Sequence, residues 1–205
     1  MASLAAIGLR LHSGWASAVL MAQVSAGPPR LSARRRIILC ERPQAKQPYH
    51  AAENMALREA ESFIAKCRAA TIALAVEALG QLCDDAGGRN PTGMGLVASA
   101  ARELPPLSRL LHSHALIHAA EGAFYREAMI EAATRLGIKA HAITGGAACD
   151  VLEGARDLRE ALERIGKAAG PPWTADEKCA SVAALGLLPG PAREFHLEAL
   201  DAATH

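Results

Sequence analysis

Three β-compatible runs joined by two short turns open this chain, so whatever it folds into must contain an antiparallel meander at its start. Ser3 to Leu11 alternates and ends in His12-Ser13-Gly14, Trp15 to Val24 is a second run, Ser25-Ala26-Gly27-Pro28-Pro29 is a turn, and Arg34 to Cys40 makes a third run. Connections this short join neighbouring strands antiparallel. Arginines on the third run suit an exposed sheet edge, where charge discourages pairing with other chains. Arg34 to Arg36 are therefore expected to decorate an edge and not to serve chiefly as nucleic-acid contacts.

After Pro48 the period changes. Met55, Phe63, Ile64, Cys67, Ile72, Val76 and Leu79 recur at helical spacing up to about Asp85, where Gly87-Gly88 stops a long helix with room for one break. Met94 to Ser99 is a short apolar strand, Pro105 to Leu136 is helical with a restart at Ser113, Ile138 to Ile143 is a strand, and Ala147 to Ile165 is a helix. Thr174-x-x-Glu177 is a capping box that opens a last helix running to about Leu185. The expected organisation is one α/β domain over 1–205: a three-stranded meander in 1–46, helices alternating with two strands in 48–188, and a tail in 189–205.

A chain of 205 residues with 51% apolar content can bury one substantial core. Aromatic residues make up 3%, so that core is built from Ala, Leu, Ile and Val, and base stacking on aromatic rings is not expected to dominate binding. Cys40, Cys67, Cys83, Cys149 and Cys179 are scattered, odd in number and without a C-x-x-C pair, so neither a disulfide framework nor a zinc knuckle is indicated, and a reducing, cytoplasmic setting fits. No apolar run reaches the ~20 residues that span a bilayer, so no membrane partner is expected. Net charge is +1, yet 1–48 carries Arg10, Arg30, Arg34, Arg35, Arg36, Arg42 and Lys46 against Glu41 alone. That asymmetry fits an anion-binding face or an organelle transit peptide; the strand-like pattern favours the former.

The order βββαβαβα resembles the ribonuclease-H-like fold, shared by many nucleases and by each half of the actin-like and sugar-kinase ATPases. Ile7-Gly8-Leu9-Arg10-Leu11-His12-Ser13-Gly14-Trp15 looks like the first hairpin of that ATPase group, in which a strand and a small-residue turn cradle phosphate. The acidic residue that both groups carry on this strand is absent, and Arg10 stands near its place. The resemblance implies a five-stranded mixed sheet in the order 3-2-1-4-5, its second strand antiparallel to the others, flanked by helices.

In such a sheet, ligands sit beyond the carboxyl ends of the parallel strands. His12, Ser13 and Gly14 follow the first strand, His50 and Glu53 the third, Ser99 the fourth, and Thr144-Gly145-Gly146 the fifth. The last of these leads into a helix, whose free N–H groups and dipole receive anions, although Gly-Gly before a helix is also ordinary turn chemistry. The more specific pattern is His112-Ser-His114-Ala-Leu-Ile-His118-Ala-Ala-Glu121. At ~100° per residue, His114, His118, Glu121 and Tyr125 fall within ~60° of one another, on a stripe continued by Ala128, Ala132 and Leu136. Leu116, Ile117, Ala120 and Phe124 cover the other side, which implies that this half of the helix is buried nearly all round.

A buried His-His-Glu group must be paired, hydrogen-bonded or metal-bound. His114, His118 and Glu121 can face one divalent cation of the Zn, Mn or Fe type; Glu121 can instead set the tautomer of His118 in an acid–base pair; or all three can form a structural network. The leading expectation is a phosphate-bearing ligand, a nucleotide or other phosphorylated small molecule or a phosphodiester, bound by His12, Ser13, Thr144, Gly145 and Gly146. Hydrolysis or phosphotransfer would then use His118, Glu121 and His114. The alternative is a non-enzymatic homo-oligomeric interaction module, and a ribonuclease-H-like nuclease acting on nucleic acid is third.

Overall fold

The computed structural model describes residues 3–24, 28–87, 90–98, 102–189 and 198–200. β1 (Ser3–His12), β2 (Trp15–Val24) and β3 (Arg30–Ile38) form the meander. β1 and β2 are antiparallel from Ser3↔Val24 to His12↔Trp15, turned by Ser13-Gly14, with Gly14 at φ 81. β4 (Met94–Ala98) lies parallel to β1, and β5 (Ala140–Thr144) parallel to β4. The order is β3-β2-β1-β4-β5, as expected from the sequence, extended by a short β6 (Glu198–Leu200) antiparallel to β5. Ser99, Gly88 and the turn 25–27, as well as the rest of the tail beyond Pro189, lie outside the described residues.

Helices cover both faces, because alternate strand residues point to opposite sides. Ile7, Leu9, Met94 and Leu96 face a layer of α1 (Pro48–Ala52), α2 (Leu57–Asp85), α3 (Leu107–Leu110) and α4 (His114–Arg135). Ala6, Val19, Met21 and Val97 face α5 (Gly145–Gly154), α6 (Arg156–Ala169) and α7 (Ala175–Leu185). Two corrections concern boundaries. β3 begins at Arg30 and ends at Ile38; beyond it, Leu39 and Cys40 turn their N–H groups to the Gly14 carbonyl, at 2.9 and 3.2 Å, and leave the ladder. The helix expected over 147–165 is two helices, because Ala155, at φ −103 and ψ 93, is extended between α5 and α6.

The expected capping box opens α7: the Glu177 carboxylate accepts from the Thr174 backbone N–H at 2.7 Å and contacts Thr174 Oγ1. Thr174→Ala is expected to lower the stability of the fold by about 1 kcal/mol, read as a fall in the urea midpoint at unchanged slope.

The arginines of β3 are engaged on both sides of the sheet. Arg34 donates to the carbonyls of Gly170 at 2.9 Å and Pro171 at 3.1 Å and also contacts that of Pro172, which ties β3 to the loop between α6 and α7. Arg35 clamps Asp85 at the end of α2, its Nε and Nη2 donating at 2.9 and 3.0 Å. Arg36 lies over the Trp15 ring, 3.6 Å from its centroid. No helix among the described residues is long and apolar enough to cross a membrane.

Candidate functional site

At the carboxyl ends of β1, β4 and β5 a cleft of about 340 Å³ is lined by Arg10, Leu11, His12, Ser13, Ala98, Glu121, Gly122, Tyr125 and Gly145. Residues far apart in sequence meet here because β1 is central, with β4 at its side and α4 packed over the strand ends. Four residues singled out by the sequence therefore converge: His12, Ser13, Glu121 and Gly145. Thr144 and Gly146 flank the cleft. Thr144 caps α5, its Oγ1 accepting from the Ala147 N–H at 3.2 Å, and open space surrounds the position where Gly146 would carry a Cβ. His114 and His118 are not among the lining residues.

Arg10 supplies the cleft with a fixed cation. Its guanidinium lies against the start of α5, so close that a methyl group at Gly145 would sit 3.0 Å from Nη1. Asp176, in the first turn of α7, holds it from the other side: Oδ1 is 3.9 Å from Arg10 Nε, and Oδ2 is 3.0 Å from His12 Nε2. The His12 ring stacks on Trp15 with centroids 4.1 Å apart and planes 7° from parallel. Arg10, His12, Trp15 and Arg36 thus form one layer of cations and rings along the sheet edge. Hard divalent cations take several oxygen ligands. With a guanidinium on the strand where the resemblance implies an acid, and Glu121 the carboxylate among the lining residues, this donor set does not fit a carboxylate-bound cation of that kind.

Glu121 is 3% exposed. Its Oε1 accepts from the backbone N–H groups of Tyr49 at 2.8 Å and His50 at 3.1 Å, and stands 3.4 Å from His50 Nδ1. Its Oε2 is buried without a hydrogen-bond partner among the described residues. Burial pushes the carboxyl up to about 7, against the two backbone hydrogen bonds, which favour the charged form. Tyr125, one turn further along, donates its hydroxyl to the Lys46 carbonyl at 2.7 Å, and burial raises its phenol well above the ordinary value.

The histidine stripe is arranged differently from the sequence reading. His114 and His118 are exposed, and their Nε2 atoms are 2.9 Å from each other, so His118 pairs with His114 and not with Glu121. The ring beside Glu121 belongs to His50, the third residue of α1, while Glu53 stands at the far end of that helix and not at its start. Ile117, Ala120 and Phe124 are buried as expected and Leu116 is half-buried, but this half of α4 is not buried nearly all round, since His114, Ala115, His118 and Gly122 are exposed. Helical spacing puts His114, His118 and Glu121 on one stripe of α4, but which part of that stripe α1 covers is set by tertiary packing. His112 stands apart, its Nδ1 2.6 Å from the Ser108 carbonyl.

No family model and no curated protein match this sequence. Solved structures do: Thermus thermophilus RuvC matches with a TM-score of 0.55 at 14% identity, over 96% of this chain and 100% of that one. The fold is ribonuclease-H-like. T. thermophilus RuvC in complex with Holliday junction substrate matches equally, with a TM-score of 0.55 at 14% identity over 96% of this chain and 99% of the other. At that identity the likeness concerns the ribonuclease-H-like fold alone, and the chemistry of the cleft must be read from its own residues.

Proposed function

We propose that this chain binds the sugar-phosphate backbone of a nucleic acid along the carboxyl edge of its sheet. The observation that carries the reading is the convergence of Arg10, His12, Ser13 and Gly145 on one cleft. Arg10 and His12 supply a charge and a ring N–H, Ser13 a hydroxyl, and the start of α5 unsatisfied backbone N–H groups, which together suit a phosphodiester. A structural neighbour solved with a Holliday junction supports a nucleic-acid partner over a phosphorylated small molecule. With a net charge of +1, contacts must be few and local.

Fluorescence anisotropy with labelled four-way junction, duplex and single-stranded DNA across a salt series tests this. The expected result is saturable binding with a slope of log K on log salt of about −2, competed by unlabelled DNA and not by nucleoside monophosphates. Tight binding of a monophosphate without binding of nucleic acid would restore the small-molecule reading.

Hydrolysis is a second reading, favoured by Glu121, which lines the same cleft and whose buried Oε2 has no hydrogen-bond partner among the described residues. With a phosphodiester held by Arg10, Glu121 takes a proton from the attacking water as the water oxygen bonds to phosphorus, the P–O bond to the leaving oxygen breaks, and that oxygen takes its proton from the His12 ring. The interaction-module reading lacks such support: Leu4, Ile38 and Leu57 are the exposed large apolar residues among those described, and the sheet register puts Leu4 and Ile38 at opposite ends of the meander.

A further inference from the structure

Next to the cleft, but not part of its lining, three imidazoles crowd together. His50, His114 and His118 each bring one ring nitrogen to within 4.8 Å of the other two. Their rings are edge-on to one another, with centroids 5.3 Å apart for His50 and His114, 4.7 Å for His50 and His118, and 4.4 Å for His114 and His118. Packing does not require this, since His114 and His118 are exposed and Ala or Lys would serve there. Nor do hydrogen bonds: the single link among the three rings is the 2.9 Å contact between His114 and His118 Nε2.

We propose that His50, His114 and His118 bind a divalent transition-metal cation of the Zn²⁺ type, with Glu121 as the residue that positions His50. This site is separate from the phosphodiester reading and stands whether or not the cleft binds nucleic acid. Three neutral imidazoles with an open fourth position make a recurring Zn²⁺ donor set. Tetrahedral bonds of 2.0–2.1 Å place ligand nitrogens about 3.3 Å apart. The His114–His118 pair at 2.9 Å is already near that spacing, and His50 closes on it by side-chain rotation. The i, i+4 spacing of His114 and His118 on a continuous helix fixes two ligands, while α1 delivers the third.

The decisive second observation lies behind His50. The Glu121 carboxylate, 3% exposed, stands 3.4 Å from His50 Nδ1, which leaves Nε2 of that ring for the cation. A ligating imidazole whose other nitrogen faces a carboxylate is the arrangement that fixes tautomer and orientation in protein metal sites. The same carboxylate oxygen also accepts from the Tyr49 and His50 backbone N–H groups, so it anchors the segment carrying His50 against α4.

The test is Co²⁺ and Zn²⁺ titration of the full chain after chelator treatment, followed by visible absorption and isothermal calorimetry. One equivalent of Co²⁺ giving the intense visible bands of a tetrahedral site, displaced by one equivalent of Zn²⁺, is expected. His118→Ala and His50→Ala should each weaken binding about 100-fold or more, and His112→Ala should leave it unchanged. Glu121→Gln should keep the tetrahedral bands while weakening affinity about 10- to 100-fold, the range usual for a residue that orients a ligand. Metal-free melts of His118→Ala and His114→Ala should match the parent protein, since both side chains are exposed. Absence of tetrahedral bands, or Zn²⁺ binding no tighter to the parent than to a His114→Ala, His118→Ala double variant, would overturn the proposal, as would an equal loss in His112→Ala.

Discussion

Gly8→Ala is expected to lower stability by about 4 kcal/mol or more, enough to unfold much of the population of an ordinary domain. Gly8 lies in the middle of β1, paired on one side with Val19 and on the other with Gly95. Above it runs α7, whose Ala180, Ala183 and Ala184 are fully buried against the sheet. A methyl group at Gly8 would collide with the Ala180 carbonyl and meet the Ala184 Cβ at 3.0 Å. At Gly95 it would collide with the Ala183 carbonyl. The obstacle is helix backbone, so no rotamer relieves it, and α7 must lift from the sheet and lose its packing. α7 also carries Asp176, so the Arg10–His12 arrangement would be displaced with it. Gly80→Ala is the contrasting control: Gly80 is inside α2 with nothing within 4 Å of its Cβ position, and the change should stabilise by about 0.5–1 kcal/mol. Urea unfolding of the two variants reads both effects, and a cost below about 1 kcal/mol at Gly8 would mean that α7 is not held as closely as described.

The second large effect is a pH dependence of stability that Glu121→Gln removes. The carboxyl titrates near 4.5 in the unfolded chain and near 7 in the folded protein, where burial disfavours its charge. Between those values the folded state holds more protons than the unfolded one, so stability falls as pH rises. The contribution is complete below about pH 4.5 and lost as pH passes 7; integrated, it amounts to about 3 kcal/mol. Glutamine keeps an oxygen for the Tyr49 and His50 N–H groups and carries no charge. Melts in chelator should show the parent protein losing stability from pH 5 to 8 relative to the variant, and the gap should level off above pH 8. His141, whose imidazole is pushed down by burial, acts in the opposite sense, but it is common to both proteins and cancels in the comparison. Parallel pH profiles would show that Glu121 is hydrated and ionised throughout.

The fold was legible because period and connection length were unambiguous where it mattered. Two short turns made β1 to β3 a meander, and helical spacing between later strands made β4 and β5 parallel to β1. What the sequence could not show were departures decided by tertiary contact: the stop of β3 at Ile38, where Leu39 and Cys40 turn to Gly14, and the break at Ala155. The site divides in the same way. His12, Ser13 and Gly145 follow from the rule that ligands gather at strand ends, and Glu121 from its place on the inward stripe. His50 follows the third strand in the sequence, but its pairing with Glu121 spans 71 positions and depends on α1 packing on α4, which no local pattern encodes. The same packing decides that Glu121 is buried while His114 and His118, on the same stripe, are exposed.

The cleft at the carboxyl edge is the centre of this account, and Arg10 is its fixed cation. The most direct measurement is the affinity and salt slope for labelled DNA of the parent protein, Arg10→Ala and Arg35→Ala, each checked by thermal melt for an intact fold. Arg35 is the right comparison because it too is basic and near the chain start, yet it is committed to Asp85 at the end of α2. Arg10→Ala is expected to weaken binding about 10-fold and to reduce the salt slope by about 1, with Arg35→Ala unchanged in both. Binding that survives Arg10→Ala at full strength and falls in Arg35→Ala would move the nucleic-acid surface to the β3 edge and contradict the account.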